Sequence, residues 1–126
     1  MNSKILSKIT GKINAFKQAI KVAHWNETES MNKHEQLDNI YSLLHDFQDN
    51  LVEDSIVALN IQNFKPTNEE YSFLTLDGLI DDIQEFVYRV KEIINNADGP
   101  MFAGINGLCD SLVHDINIAI YRIRMS

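Results

Sequence analysis

The chain has 126 residues, 44% hydrophobic and 23% charged, which supplies the core of one domain and leaves no room for two. Eighteen acidic residues against eleven basic ones give a net charge of −7, which makes the chain a poor nucleic-acid binder overall and leaves that role to a local basic patch. A single cysteine, Cys109, excludes an internal disulfide. With no signal-peptide pattern and no apolar run of the roughly 18 residues a membrane span needs, the expectation is a cytoplasmic protein with no membrane partner.

Helical periodicity marks four segments. The first, residues 3–26, places Ile5, Ile9, Ile13, Phe16 and Ile20 on one face. It carries five lysines and no acid, with Lys4, Lys8 and Lys12 forming an outer ridge and Lys17 and Lys21 farther along. The second, residues 32–60, turns Leu37, Ile40, Leu44, Phe47, Leu51 and Ala58 inward, with Asn32 and Glu35 as its start signal. In the link over 61–75, Pro66-Thr67-Asn68-Glu69-Glu70 reads as the capped start of a short extra helix. The third segment, residues 76–96, runs through Leu79, Ile80, Ile83, Phe86, Val87, Val90 and Ile94. The fourth begins near Pro100, where proline suits a first turn, and continues through Leu108, Leu112, Ile116, Ile120 and Ile123. Short joints make the first and second helices, and the third and fourth, antiparallel neighbours. One long crossover between the second and third completes the expectation: a single all-α domain over 1–126, a ferritin-like four-helix bundle.

The second helix also carries a polar stripe. At about 100° per residue, His34, His45, Asp38, Asp49 and Glu53 fall within roughly a quarter-turn, nearly opposite the apolar face. A charged stripe is ordinarily a solvated face. This one, however, is made of carboxylates and imidazoles, with no base between Lys33 and Lys65 on its own helix. Carboxylates at i,i+4 repel unless a cation offsets them. The stripe is also symmetric: His34 and Glu53, and likewise Asp38 and Asp49, share the midpoint 43.5. Two copies of the helix laid antiparallel across a two-fold axis near Leu43 and Leu44 would set His34 opposite Glu53 and Asp38 opposite Asp49. Two mixed imidazole–carboxylate clusters would result, a donor set suited to iron, manganese or zinc.

These residues carry a family resemblance. Ala23-His24-Trp25-Asn26 resembles the signature near the end of the first helix of Dps mini-ferritins. The run from His34 through Asp38 to Tyr41, followed by Asp49 and Glu53, resembles that family's second-helix ligand pattern. The resemblance covers about residues 20–54; His24 and His34 stand ten apart where the family usually has twelve. It implies a ferroxidase site between two subunits, with His24, His34 and Asp38 from one chain and Asp49 and Glu53 from the other. It further implies Fe(II) oxidised by hydrogen peroxide, iron stored in a twelve-subunit shell, and protection against oxidative stress, often with DNA protection.

Other residues admit plainer readings. His24 near a helix C-terminus suits a core-edge histidine as well as a ligand. His114, four residues after Asp110, could join Asp82 or Glu85 in a separate site, but paired Glu-x-x-His motifs are missing and a surface histidine fits better. The ridge of Lys4, Lys8 and Lys12 reads as solubilising, or as a DNA phosphate contact. Cys109 reads as a core residue, and Trp25 equally as packing beside the metal site or as plain packing. The alternative to Fe(II) oxidation is a ferritin-like helical assembly or interaction module with no active metal site.

Overall fold

The computed structural model describes residues 1–97 and 102–126. They form four helices packed on one another: α1 Ser3–Asn26, α2 Met31–Leu59, α3 Leu76–Asn95 and α4 Ala103–Arg124. Three have side-chain caps that satisfy an otherwise orphaned amide. Asn2 accepts from Ile5 N at 2.9 Å, Ser30 from Lys33 N at 3.2 Å and Thr75 from Gly78 N at 3.0 Å. The start of α2 is therefore Ser30 and Met31, ahead of the expected Asn32. Asn60, in the left-handed region at φ 52°, ends that helix. The expected start of the fourth helix at Pro100 lies outside the described residues.

The buried faces follow the expected periodicity with local shifts. In α1 the first inward residue is Leu6, while Ile5 is 37% exposed. In α2 the last turn buries Ser55, and Ala58 stays partly exposed. In α4, Ile105 and Cys109 are buried, while Leu108 only flanks the core. A continuous core results, with Leu37, Ile40, Leu44 and Leu51 of α2 almost wholly excluded from solvent. α1 lies against α2 and, over a shorter stretch, α3; α4 lies against α2 and α3.

The link over 60–75 contains no helix, which corrects the expectation at Pro66–Glu70. It is an extended strap held on α1. Thr67 N donates to Ser7 O at 3.1 Å, and the Thr67 hydroxyl donates to the same carbonyl at 3.3 Å. Gly11 is the seat beneath it, since a Cβ there would stand 2.3 Å from Thr67 O. Farther along, the Tyr71 ring packs tilted against Phe16 with centroids 4.7 Å apart, and its hydroxyl donates to Asp82 at 2.5 Å. Glu69, Tyr71 and Phe73 turn toward the bundle while Glu70, Ser72 and Leu74 turn out. That two-residue alternation belongs to extended backbone. No strand occurs among the described residues, and none of their helices is long and apolar enough to cross a membrane.

Candidate metal centre

The tight turn between α1 and α2 brings together two of the expected ligands. His24 and His34 stack with ring centroids 3.8 Å apart. Each ring meets the other's backbone: His24 Nδ1 lies 2.7 Å from His34 O, and His34 Nδ1 lies 2.8 Å from His24 O. A carbonyl oxygen can only accept, so both Nδ1 atoms carry hydrogen and donate. In the neutral rings both Nε2 atoms then hold free lone pairs. A metal-ligating histidine is ordinarily prepared in this way, with the second nitrogen tied to a carbonyl or carboxylate. The turn itself is closed by Glu27, whose carboxylate accepts from Ser30 N at 3.0 Å.

Asp38 follows His34 by one turn and is exposed, as are His45, Asp49 and Glu53. The stripe thus faces away from its own core, as its angular position requires. Two lysines of α1 reach it. Lys21 Nζ lies 3.3 Å from Asp38 Oδ1 and 4.4 Å from the centre of the Tyr41 ring. Lys17 Nζ contacts His45 Nδ1 at 3.0 Å and donates to Gln48 Oε1 at 2.9 Å. Burial holds the Lys17 ammonium below its ordinary pKa, against the opposing attraction of Asp49.

A charged ammonium only donates, so His45 Nδ1 accepts and the hydrogen sits on Nε2, 3.7 Å from Asp49 Oδ2. His45 thus has Nδ1 engaged by Lys17, while Nε2 stands beside Asp49 at a separation beyond hydrogen-bond reach. Lys17 and Lys21 were not visible as partners of the stripe in the second helix alone. Their signal lay in α1: Lys17 stands about 180° round that helix from Lys8, beside the apolar face rather than on the outer ridge.

Asp49 and Glu53 lie on the same helix as Asp38, about 16 to 22 Å along its axis at the helical rise. One chain consequently brings His24, His34 and Asp38 to one end of the stripe and leaves Asp49 and Glu53 at the other. Among the described residues, no group of three His, Cys, Asp or Glu side chains is arranged to hold a metal ion.

The other candidates have settled places. His114 is exposed, and Asp110 pairs with Lys91 at 3.0 Å. Asp82 is engaged by Tyr71, whose phenol is pushed above its ordinary pKa chiefly by burial and also by that carboxylate. Cys109 is buried, and burial raises its thiol pKa to about 12. Lys4, Lys8 and Lys12 are exposed, with no carboxylate at ion-pair distance among the described residues. Trp25 is 64% exposed, so the packing role expected for it is not met within one chain.

No protein-family model matches the chain, and neither does any curated protein or solved structure.

Proposed function

We propose that this is a ferritin-like protein of the Dps type, which binds Fe(II) at sites shared between two copies and oxidises it. The observation that carries the reading is the reciprocal histidine contact. It leaves the Nε2 atoms of His24 and His34 free, and Asp38 follows His34 by one turn of α2. The strap contacts support the ferritin-like connection. Thr67 meets the first turns of α1 and Tyr71 its middle, so the link advances along the bundle as a long crossover between α2 and α3 must.

One chain supplies too few donors, and the symmetric stripe supplies a remedy. An antiparallel α2 from a second copy brings Asp49 and Glu53 to the His24–His34–Asp38 end, twice per dimer. The substrate is Fe(II), with manganese or zinc as other ions for this donor set. Two Fe(II) ions give one electron each to hydrogen peroxide, which takes two protons and leaves as two waters. Carboxylates favour the Fe(III) formed. Iron sequestration in a closed shell of twelve such chains in the cytoplasm, and protection against oxidative stress, extend the same reading. DNA contact through Lys4, Lys8 and Lys12 is its outermost extension.

A second reading is favoured by the two lysines. Lys21 neutralises Asp38 and Lys17 engages His45 within one chain, so the stripe does not depend on a metal for its charge balance. That arrangement suits a helical assembly module without an active metal site. The test adds Fe(II) and peroxide anaerobically to metal-free protein and follows ferric absorbance. Oxidation at least tenfold slower in an Asp49→Ala/Glu53→Ala double variant supports the shared site. Equal rates leave the assembly module. Light scattering on the same samples separates a dimer from a shell.

A further inference from the structure

Large apolar side chains stand in solvent together at one end of the bundle. α1 and α4 finish at this end, and α2 and α3 begin there. The stacked rings of His24 and His34 join α1 to α2, and Asn32 Nδ2, donating to Arg122 O at 2.8 Å, joins α2 to α4. Around these joints Trp25, Met31 and Met125 are 64%, 70% and 69% exposed, and Leu74 is fully exposed. A hollow of about 400 Å³ opens beside them, lined by Lys33, Leu76, Asp77, Ile123 and Arg124. An apolar patch rimmed by polar residues marks a surface that another molecule covers.

The charges around the patch identify its occupant. Glu29 and Asp77 stand at the rim with Lys33 and Arg122, and none of these four meets an opposite charge at ion-pair distance among the described residues. The two acids, and the net charge of −7, repel an anionic lipid surface. A face carrying both signs is instead complementary to itself. Helix direction adds to this. α1 and α4 each pack on α2 and α3, so neighbours around the bundle run in opposite directions. The end therefore presents partly negative helix C-termini and partly positive N-termini in alternation.

We propose that this end docks on the same end of a second copy, across a two-fold axis perpendicular to the bundle. An axis that exchanges α1 with α2 and α3 with α4 lays every C-terminus on an N-terminus of the other copy. It sets Trp25 opposite Met31 of the second copy, Met125 opposite its Leu74 and Arg122 opposite its Asp77, each pair occurring twice. The hollow lies under this junction and receives Met125 of the second copy. The contact uses no residue of the α2 stripe, so it stands apart from the metal-binding reading and from the side-by-side contact of α2 with α2.

Sedimentation equilibrium on metal-free protein tests this, read together with the emission of Trp25, the chain's single tryptophan. Wild type is expected to associate with rising concentration while the emission moves to the blue. Leu74→Glu is expected to raise the Kd of that step about tenfold or more, as loss of a central apolar contact does. Arg122→Glu and Asp77→Arg should each weaken the step, and the two together should restore it, which a folding defect could not do. Circular dichroism verifies the helices of each variant. The Asp49→Ala/Glu53→Ala protein should keep the step unchanged. A monomer at every concentration overturns the proposal, and no recovery in the doubly swapped protein overturns this axis. Association that survives Leu74→Glu and is lost with Asp49 and Glu53 also overturns it, and leaves the α2 contact standing. An emission shift on phosphatidylcholine vesicles, with or without phosphatidylserine, and none with protein concentration overturns it in favour of a membrane surface.

Discussion

The two helix pairs share one core but finish their outer surfaces differently. On the α3–α4 surface opposite charges meet directly: Lys91 with Asp110 and Arg124 with Asp81 across the two helices, and Arg89 with Glu85 along α3. A neutral chain runs beside them, in which Gln84 donates to Asn117 and Asn117 to Tyr88. Across α1 and α2, the closing contacts are a stacked histidine pair, two lysines over a tyrosine ring, and a strap seated on a glycine. The α3–α4 surface pairs three of its basic groups, Arg89, Lys91 and Arg124, within itself. The α1–α2 surface ends in Asp49 and Glu53, neither of which meets a lysine or arginine at ion-pair distance among the described residues. Net charge alone does not distinguish these faces; the placement of each counter-charge does.

The strap offers the sharpest way to break this contrast. Gly11→Ala should improve α1 by about 1 kcal/mol from intrinsic propensity alone. The new Cβ, however, meets the Thr67 backbone at 2.3 Å, and a backbone strap cannot yield as a side-chain tip can. Overpacking of this kind costs about 1–3 kcal/mol, so the net effect is expected to be destabilising. Urea denaturation measures it, and hydrogen exchange at the Thr67 amide should accelerate as its bond to Ser7 O loosens. A stabilised Gly11→Ala protein would mean that the strap does not bear on α1.

The same strap shows how far the sequence could be read. α1 is legible to its ends, because Asn2 caps it and its apolar period is unbroken once Leu6 replaces Ile5. Pro66-Thr67-Asn68-Glu69-Glu70 carries a genuine local start signal, yet no apolar face long enough to bury a helix follows it. Between Thr67, over Gly11, and Tyr71, against Phe16, four residues must advance more than a helical turn along α1. Extended backbone covers that distance and a helix, at about 1.5 Å per residue, does not. Tyr71-Ser72-Phe73 offered only a faint sign, obscured by Leu74, an apolar residue that is fully exposed. At the candidate site, the outward direction of the stripe was legible from the angle of each residue. The lysines of α1 were not, because pairing between helices depends on which faces adjoin, and one helix's pattern does not contain that.

The histidine pair gives a second, smaller test. Each ring–carbonyl hydrogen bond keeps its backbone acceptor when the other histidine becomes alanine, so those two bonds add; the coupling comes from the stacked rings, a contact of about 0.5–1.5 kcal/mol. A double-mutant cycle with His24→Ala and His34→Ala should therefore show coupling of about 0.5–1.5 kcal/mol in urea denaturation. Gln84→Ala with Asn117→Ala on the other helix pair is the comparison, with a single side-chain bond and no stacking. Additive effects at His24 and His34 would mean that the rings act separately, and their free Nε2 atoms would then have no fixed bearing toward Asp38.

The smallest effect separates the two kinds of ion pair. Lys91–Asp110 and Lys21–Asp38 are both partly exposed, and each should contribute less than about 1 kcal/mol to stability at physiological salt. Their environments differ, however. Asp38 lies on a helix that also carries Asp46, Asp49, Glu53 and Asp54, with no base after Lys33, so removing Lys21 exposes a row of like charges. Lys91 answers Asp110 on a face where Arg89 and Arg124 already have partners. Lowering ionic strength lengthens the screening distance from about 8 Å to about 30 Å between 0.15 M and 0.01 M salt, which brings the more distant carboxylates of α2 into play. Lys21→Ala should then lose stability with falling salt more steeply than Lys91→Ala, as measured by urea midpoints at both ionic strengths. Equal slopes would place the acid excess of α2 under the same local compensation as α3 and α4, and the distinction between the two surfaces would reduce to the histidines and the strap.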